Sequence, residues 1–205
     1  MYHCQSMSAA FERFRFSFFD DQQSARDGLD LSSLAQLSDD ERVRAENMLI
    51  DYLPDTRGVI GLGELRAKRA EPALTCLFEA ERDQPSSGLV YLAMALWQIR
   101  PDPRWLAAIA DVLGSGEFWP QRVEAAIALV NIRDPAAVPA LTKALDDDEA
   151  LVRHHAARAL LATHGLSADS DDGGHMIYRI MSGDAARREG GKRDILAAIA
   201  VRKAP

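Results

Sequence analysis

Apolar residues fall at three- and four-residue steps through most of this chain, and the pattern of steps itself repeats. Leu62, Leu96, Leu129 and Leu160 stand 34, 33 and 31 residues apart inside matching contexts. From Arg122 the chain reads RVEAAIALVNIRDPAAVPALTKALDDDE, and from Arg153 it restarts as RHHAARALLATHG. Ala156, Ala157, Ala159 and Leu160 thereby fall on Ala125, Ala126, Ala128 and Leu129. Earlier copies are looser: Leu92, Ala93, Ala95, Leu96 and Ile99 fall on Ala125, Ala126, Ala128, Leu129 and Ile132, and Pro72, Ala73 and Leu74 match Pro139, Ala140 and Leu141. Self-similarity at a period of about 20 to 50 residues marks a repeat array, in which each unit buries its apolar face only against its neighbours.

Both halves of each unit carry helical spacing, broken by Pro, Gly or an acidic cluster, so each unit is predicted to be a helical hairpin. Val138, Leu141, Ala144 and Leu145 form one stripe; Ala125, Ala126, Leu129 and Ile132 form the other. Alanines let neighbouring helices approach closely, while leucines fill the space between layers. The predicted pairs are 41–53 with 57–67, 71–82 with 87–100, 103–113 with 121–133, and 135–146 with 150–163. The fold expected is all-α: about four hairpins stacked over residues 41–164, with an N-terminal capping segment over 1–40 and a linker and degenerate last repeat over 165–205.

The ends depart from the pattern. In FERFRFSFF, Phe14, Phe16 and Phe18 alternate as a strand would, while Phe11, Phe14 and Phe18 keep helical spacing; periodicity leaves both open. Leu31, Leu34 and Leu37 predict a short helix, and Ser38 with Glu41 a capping box that opens the array. Residues 1–40 either cap the first repeat or form a partner-binding arm. SADSDDGG, residues 167–174, reads as a solvated loop, since the alternating ligand register and closing Glu of a calcium loop are missing. Ile177, Ile180, Ile195, Leu196 and Ile199 then supply the stripes of a last, capping repeat.

Composition sharpens the class. At 47% hydrophobic residues the chain can bury a substantial core. No run of about 18 apolar residues occurs, and the start lacks the continuous apolar stretch of a secretory signal, so no membrane association and a cytoplasmic location are expected. Cys4 and Cys76 share no metal or redox spacing and read as reduced thiols. The net charge is −7, and no repeat offers the run of Lys and Arg that a duplex-binding surface needs to displace counterions, so no nucleic-acid partner is expected. Asp146, Asp147, Asp148 and Glu149 cluster at an inter-helix turn. Helix dipoles account for acids ahead of N-termini; attraction of a basic protein is the other reading.

An Arg before AAxAL, followed by a DPxAVPAL segment, resembles the HEAT-repeat superfamily, in the short bacterial form typified by phycobilisome-lyase repeats. The resemblance covers 41–164 and is strongest over 122–164. It implies a right-handed α-α superhelix whose second helices line a concave face. On those helices the candidate partner-binding positions are Tyr91, Glu124 and His155 in one row, Met94, Ile127 and Arg158 in the next, and Gln98 with Asn131 in a third. Met94 and Ile127 are either part of a binding patch or core residues one position out of phase. Phe118 and Trp119, in a Gly-flanked connection, dock either onto the array or onto a partner, whereas Trp97 and Trp105 read as core. The resemblance also assigns Arg57, Arg122 and Arg153, with Asp55 and Asp148, to a structural ladder between repeats.

Catalytic readings find little support. None of His3, His154, His155, His164 or His175 is followed by Glu, as iron-dependent HEAT hydroxylases require. His154 and His155 project about 100° apart on a helix, too divergent for a metal pair, and read as surface residues. No GxSxG, P-loop or CxxC occurs. No enzyme activity, metal or cofactor is therefore expected. The chain, with its DERVRAENMLIDYLPDTRGVIGLGELRAKRAEPAL stretch, also resembles small acidic HEAT proteins that act as immunity proteins against toxins, including nuclease effectors of contact-dependent or type VI secretion systems. This implies a protein-binding module whose partner is a basic toxin or effector. The alternatives are a bilin-lyase-like or cofactor-handling protein and a scaffold subunit; fold alone does not choose among them.

Overall fold

A computed structural model describes residues 7–203, which places Cys4 and His3 outside the described residues. Those residues form α-helices joined by short turns, with no strand among them. The helices are α1 (Ala9–Phe19), α2 (Asp21–Asp27), α3 (Leu31–Leu34), α4 (Asp39–Asp51), α5 (Thr56–Glu64), α6 (Glu71–Glu81), α7 (Ser87–Ile99), α8 (Pro103–Ser115), α9 (Trp119–Ile132), α10 (Val138–Ala144), α11 (Ala150–Thr163), α12 (Asp171–Ile180) and α13 (Ala185–Lys203). Of the four predicted pairs, α4 packs on α5, α8 on α9 and α10 on α11, and α6 and α7 are the two helices at the positions predicted for the remaining pair. The fold is all-α and HEAT-like. It divides into two compact units, one formed by the stretch up to Ala80 with Tyr91–Asp102, the other by Glu81–Val90 with the stretch from Pro103 onwards.

In the first unit FERFRFSFF is helical. Phe11, Phe14 and Phe18 are buried on one face of α1, while Phe16 is exposed, so the helical period wins over the alternating one. Their rings stack in tilted pairs with centroids 5.6 and 5.1 Å apart. Phe18 also lies over α5, where Gly61 leaves room: a Cβ there would come within 2.8 Å of the phenyl ring. Ser38 accepts the Glu41 N–H while Glu41 accepts the Ser38 N–H, the capping box expected at this point. The second Glu41 oxygen accepts the Ser8 N–H at 2.8 Å, so one carboxylate ties the start of α1 to the start of α4. Hydrogen bonds from the Ser8 and Ser38 amides hold its pKa at about 2. At Gly63, α5 meets α7 backbone to backbone, a Cβ there falling 2.7 Å from Ala95 Cα.

In the second unit three hairpins, α8–α9, α10–α11 and α12–α13, pack in sequence order, α9 against α11 and α11 against α12. Ala125, Ala126, Ala156, Ala157 and Ala159 lie inside with Leu129 and Leu160, all at most marginally accessible. Trp105 is fully buried, as its reading as core requires, whereas Trp97, in the first unit, is only half-buried. Helix ends follow local chemistry. Asp134 accepts the Ala136 N–H at 2.8 Å, so Pro135–Ala137 forms a 3-10 turn before α10 begins. Gly165, at φ +69°, closes α11 with bonds from Gly165 N–H to Ala162 O and from Leu166 N–H to Leu161 O.

The reading of residues 167–174 as a loop needs correction. Ser170 accepts the Gly173 N–H, and Asp171, Asp172, Gly173 and Gly174 form the first turn of α12. A serine cap followed by two acids is a helix start, with the acids placed at the positive end of the dipole.

Candidate functional site

In the second unit, arginines near the starts of second helices determine how the turns are held. Arg122 on α9 donates to Gly116 O, six residues back, and grips Asp147 of the following hairpin with two bonds of 2.8 and 2.9 Å. Arg153 on α11, only 4% exposed, donates to Asp147 O and Asp148 O, six and five residues back, and reaches the next hairpin at Ile180 O. Arg188 on α13 repeats the local motif, donating to Ser182 O and Gly183 O at the same six- and five-residue offsets. The inter-repeat partner is Asp147, whereas Asp148 contributes its carbonyl. Desolvation, with Arg188 nearby, pushes the Arg153 pKa down. In the first unit Arg57 pairs with Asp55 of its own hairpin and with Asp21.

Arg188 was not singled out from sequence, though the signal was present. It stands 35 residues after Arg153, and the buried Ile195 stands 35 after Leu160. The last hairpin is therefore built on the same plan as the two before it, with Gly191 buried where Ala125 and Ala156 lie.

The predicted surface positions divide between the units. Tyr91, Met94 and Gln98 are half-buried on α7 in the first unit, Gln98 lying over Gly63 with its amide 3.4 Å from the Glu64 carboxylate. In the second unit α9 and α11 stand side by side, bringing Glu124 and Ile127 next to the helix that carries His155 and Arg158. Ile127 is 40% exposed and Asn131 exposed, so neither belongs to the core. Arg158 is held by Asp169 through bonds of 2.8 and 3.3 Å, and that pairing pulls the Asp169 pKa down. Asp169, in the segment read as a plain linker, is thus part of this surface. Beside it lies a depression of about 340 Å³ lined by Val130, Arg133, Arg158 and Asp169.

The two histidines are not plain surface residues. Both are half-buried, their rings edge to face at 4.7 Å, with His154 Nδ1 3.2 Å from Met181 Sδ. Desolvation lowers both pKa values, Arg158 adding to the effect at each and His154 adding to it at His155. Among the described residues no group of three or more His, Cys, Asp or Glu is placed to hold a metal ion, and Cys76 is an exposed free thiol. No described helix is long and apolar enough to cross a membrane.

Phe118 and Trp119 lie on the second unit. Trp119 is the first residue of α9 and Phe118 its N-cap, so they open a helix and do not sit inside a loop. They are 66% and 45% exposed.

Fold and surface together define an all-α protein of HEAT-like hairpins that presents faces of its second helices. Residues 77–161 match the family model for HEAT repeats, which supports placing this stretch in the HEAT-repeat superfamily. Comparisons with curated proteins and with solved structures gave no match. HEAT repeats generally mediate contacts between proteins.

Proposed function

We propose that this chain is a non-enzymatic module that binds another protein, and more narrowly that it occupies and blocks a basic toxin or effector, as an immunity protein does. The observation that carries the reading is the pair α9 and α11. Ala125, Ala126, Leu129, Ala156, Ala157 and Leu160 are buried in packing, while Ile127 and Asn131 are exposed and Glu124, His155 and Arg158 half-buried. An apolar group among polar ones on a rigid, paired helix face suits recognition of a protein surface. The net charge of −7 favours a basic partner, whose capture opposite fields accelerate.

Affinity capture from the native cell tests the broader reading, with the double variant Ile127→Asp, Arg158→Glu as control. A single basic protein retained by the wild type and released by the variant is expected. Co-expression tests the narrower one: growth arrest caused by that partner is relieved by this chain. Recovery of no partner rejects the binding reading, and a partner that is harmless when expressed alone rejects the immunity reading.

A further inference from the structure

The second helices share a rule at their N-caps. Asp55 caps α5 by accepting the Arg57 N–H, Ser86 caps α7 by accepting the Leu89 N–H, Glu149 caps α11 and Asp184 caps α13 by accepting the Arg187 N–H. At α9 the cap is Phe118. A phenyl ring accepts nothing from the orphan amides of the first turn, and only half of a capping box survives, Gln121 Oε1 lying 3.4 Å from the Phe118 N–H. The position therefore loses a stabilising cap and, in the same substitution, exposes a large apolar ring beside a second one, Trp119. Stable folds break local rules of this kind mainly at functional sites.

The exposed charge beside the aromatic pair is acidic. Arg122, three residues along α9, is folded back onto Gly116 O and Asp147, and Arg153 is buried on carbonyls. The first of these contacts brings the 116–119 turn against the 147–149 turn. Glu117 and Asp148 are exposed there, with Glu149 beside them and Leu151 exposed on the first turn of α11. On the first-helix side of the same turns lies a groove of about 750 Å³ whose charges are balanced, with Asp147 held by Arg122, Asp146 by Lys192 and Asp83 by Arg82, so the acidic surface is confined to Glu117, Asp148 and Glu149.

From this we infer that Phe118 and Trp119 anchor a basic segment of the partner protein, an apolar side chain of that segment seating on the two rings while flanking Lys or Arg groups face Glu117, Asp148 and Glu149. This rests on the protein-binding reading and assigns the anchor to the hairpin turns, away from the row of Ile127 and Arg158. Tryptophan is among the side chains that most often dominate binding, and its ring face attracts cations.

The probe is a synthetic amphipathic peptide with leucines at helical spacing among lysines, and a glutamate version as control, titrated calorimetrically into the full chain. The lysine peptide is expected to bind with affinity that falls as salt rises, and the glutamate peptide not to bind. Phe118→Asp is expected to weaken binding by about tenfold or more, while its melting temperature stays equal to or above that of the wild type, because the carboxylate now caps α9. Trp119→Ala is the second variant and is expected to lose binding with its helical spectrum intact. No binding of the lysine peptide, equal binding of both peptides, or full affinity in both variants overturns the inference. A captured native partner that tolerates Phe118→Asp but not Ile127→Asp overturns this inference and leaves the binding reading standing, whereas failure to capture any partner counts against that reading.

Discussion

The guanidinium of Arg122 holds the carboxylate of Asp147 with two hydrogen bonds, Nε to Oδ2 at 2.8 Å and Nη2 to Oδ1 at 2.9 Å, and so joins α9 to the turn between α10 and α11 of the next hairpin. Both side chains are mostly buried. A planar fork matched to a carboxylate fixes the rotation of one hairpin against the next, which a point-charge ammonium cannot do. Arg122→Lys is therefore expected to destabilise the protein by about 1 to 3 kcal/mol, and Arg122→Ala by at least as much. A double-mutant cycle with Asp147→Asn, read by urea unfolding, checks the coupling; additive effects would show that the pair does not act as a unit.

Glu41 links two helix starts while holding its proton only at a pH of about 2. A carboxylate depressed in the fold adds stability that is fully present above the unfolded value of 4.5 and is lost as the pH falls from there toward 2. Glu41→Gln is expected to lower the melting temperature at pH 7 and to flatten its decline between pH 5 and 3. An unchanged slope in that window would assign the acid sensitivity to other groups.

His154 and His155 give the opposite kind of group and the same sign. Both are bases held below 6.5 in the fold, so the unfolded chain binds the more protons, and stability is expected to fall as the pH drops below about 6.5. Arg158 opposes their protonation, and at His154 Asp169 favours it. Replacing His155 by Gln should reduce the loss in melting temperature between pH 7 and 5; a variant with the wild-type slope refutes the assignment.

Two glycines in helices separate packing from propensity. At Gly63 a Cβ would lie 2.5 Å from Gln98 Oε1, which can swing aside, and 2.7 Å from Ala95 Cα and 2.8 Å from Ala95 Cβ, which cannot move without shifting the helix. Gly63→Ala is expected to cost about 1 to 3 kcal/mol. At Gly114 in α8 an added Cβ meets nothing within 4 Å, so Gly114→Ala is expected to stabilise by about 0.5 to 1 kcal/mol through helix propensity. Thermal unfolding of both variants measures the contrast.

The hairpins were legible because each helix states its own phase: Leu129 and Leu160 are buried where the repeat puts them, and Ser38 with Glu41 announces α4. By the same logic Ile127 and Asn131, which fall outside the buried stripe, face outward, whereas Tyr91, Met94, Gln98, Glu124, His155 and Arg158 are half-buried. What escaped was chemistry that depends on distant partners. Asp169 lies in an acidic stretch that looks like a linker until Arg158 is placed beside it. Arg188 carries a third copy of the turn motif under a sequence where Gly191, Lys192 and Asp194 stand in place of the alanines that mark the earlier copies.

Local periodicity and capping, read from the chain alone, determine that this is a helical repeat protein, where its hairpins turn and that Leu62, Leu96, Leu129 and Leu160 pack inside, though Leu196 of the last stripe is exposed. They do so because helix phase and end signals are set by residues within one or two turns of each other. Tertiary structure alone decided that Asp147 and not Asp148 receives the Arg122 fork, that His154 and His155 are partly desolvated, and that Phe118 occupies a cap. Each of these depends on which atoms meet across hairpins or at a helix boundary resolved to a single residue, and a periodic pattern carries no such distances.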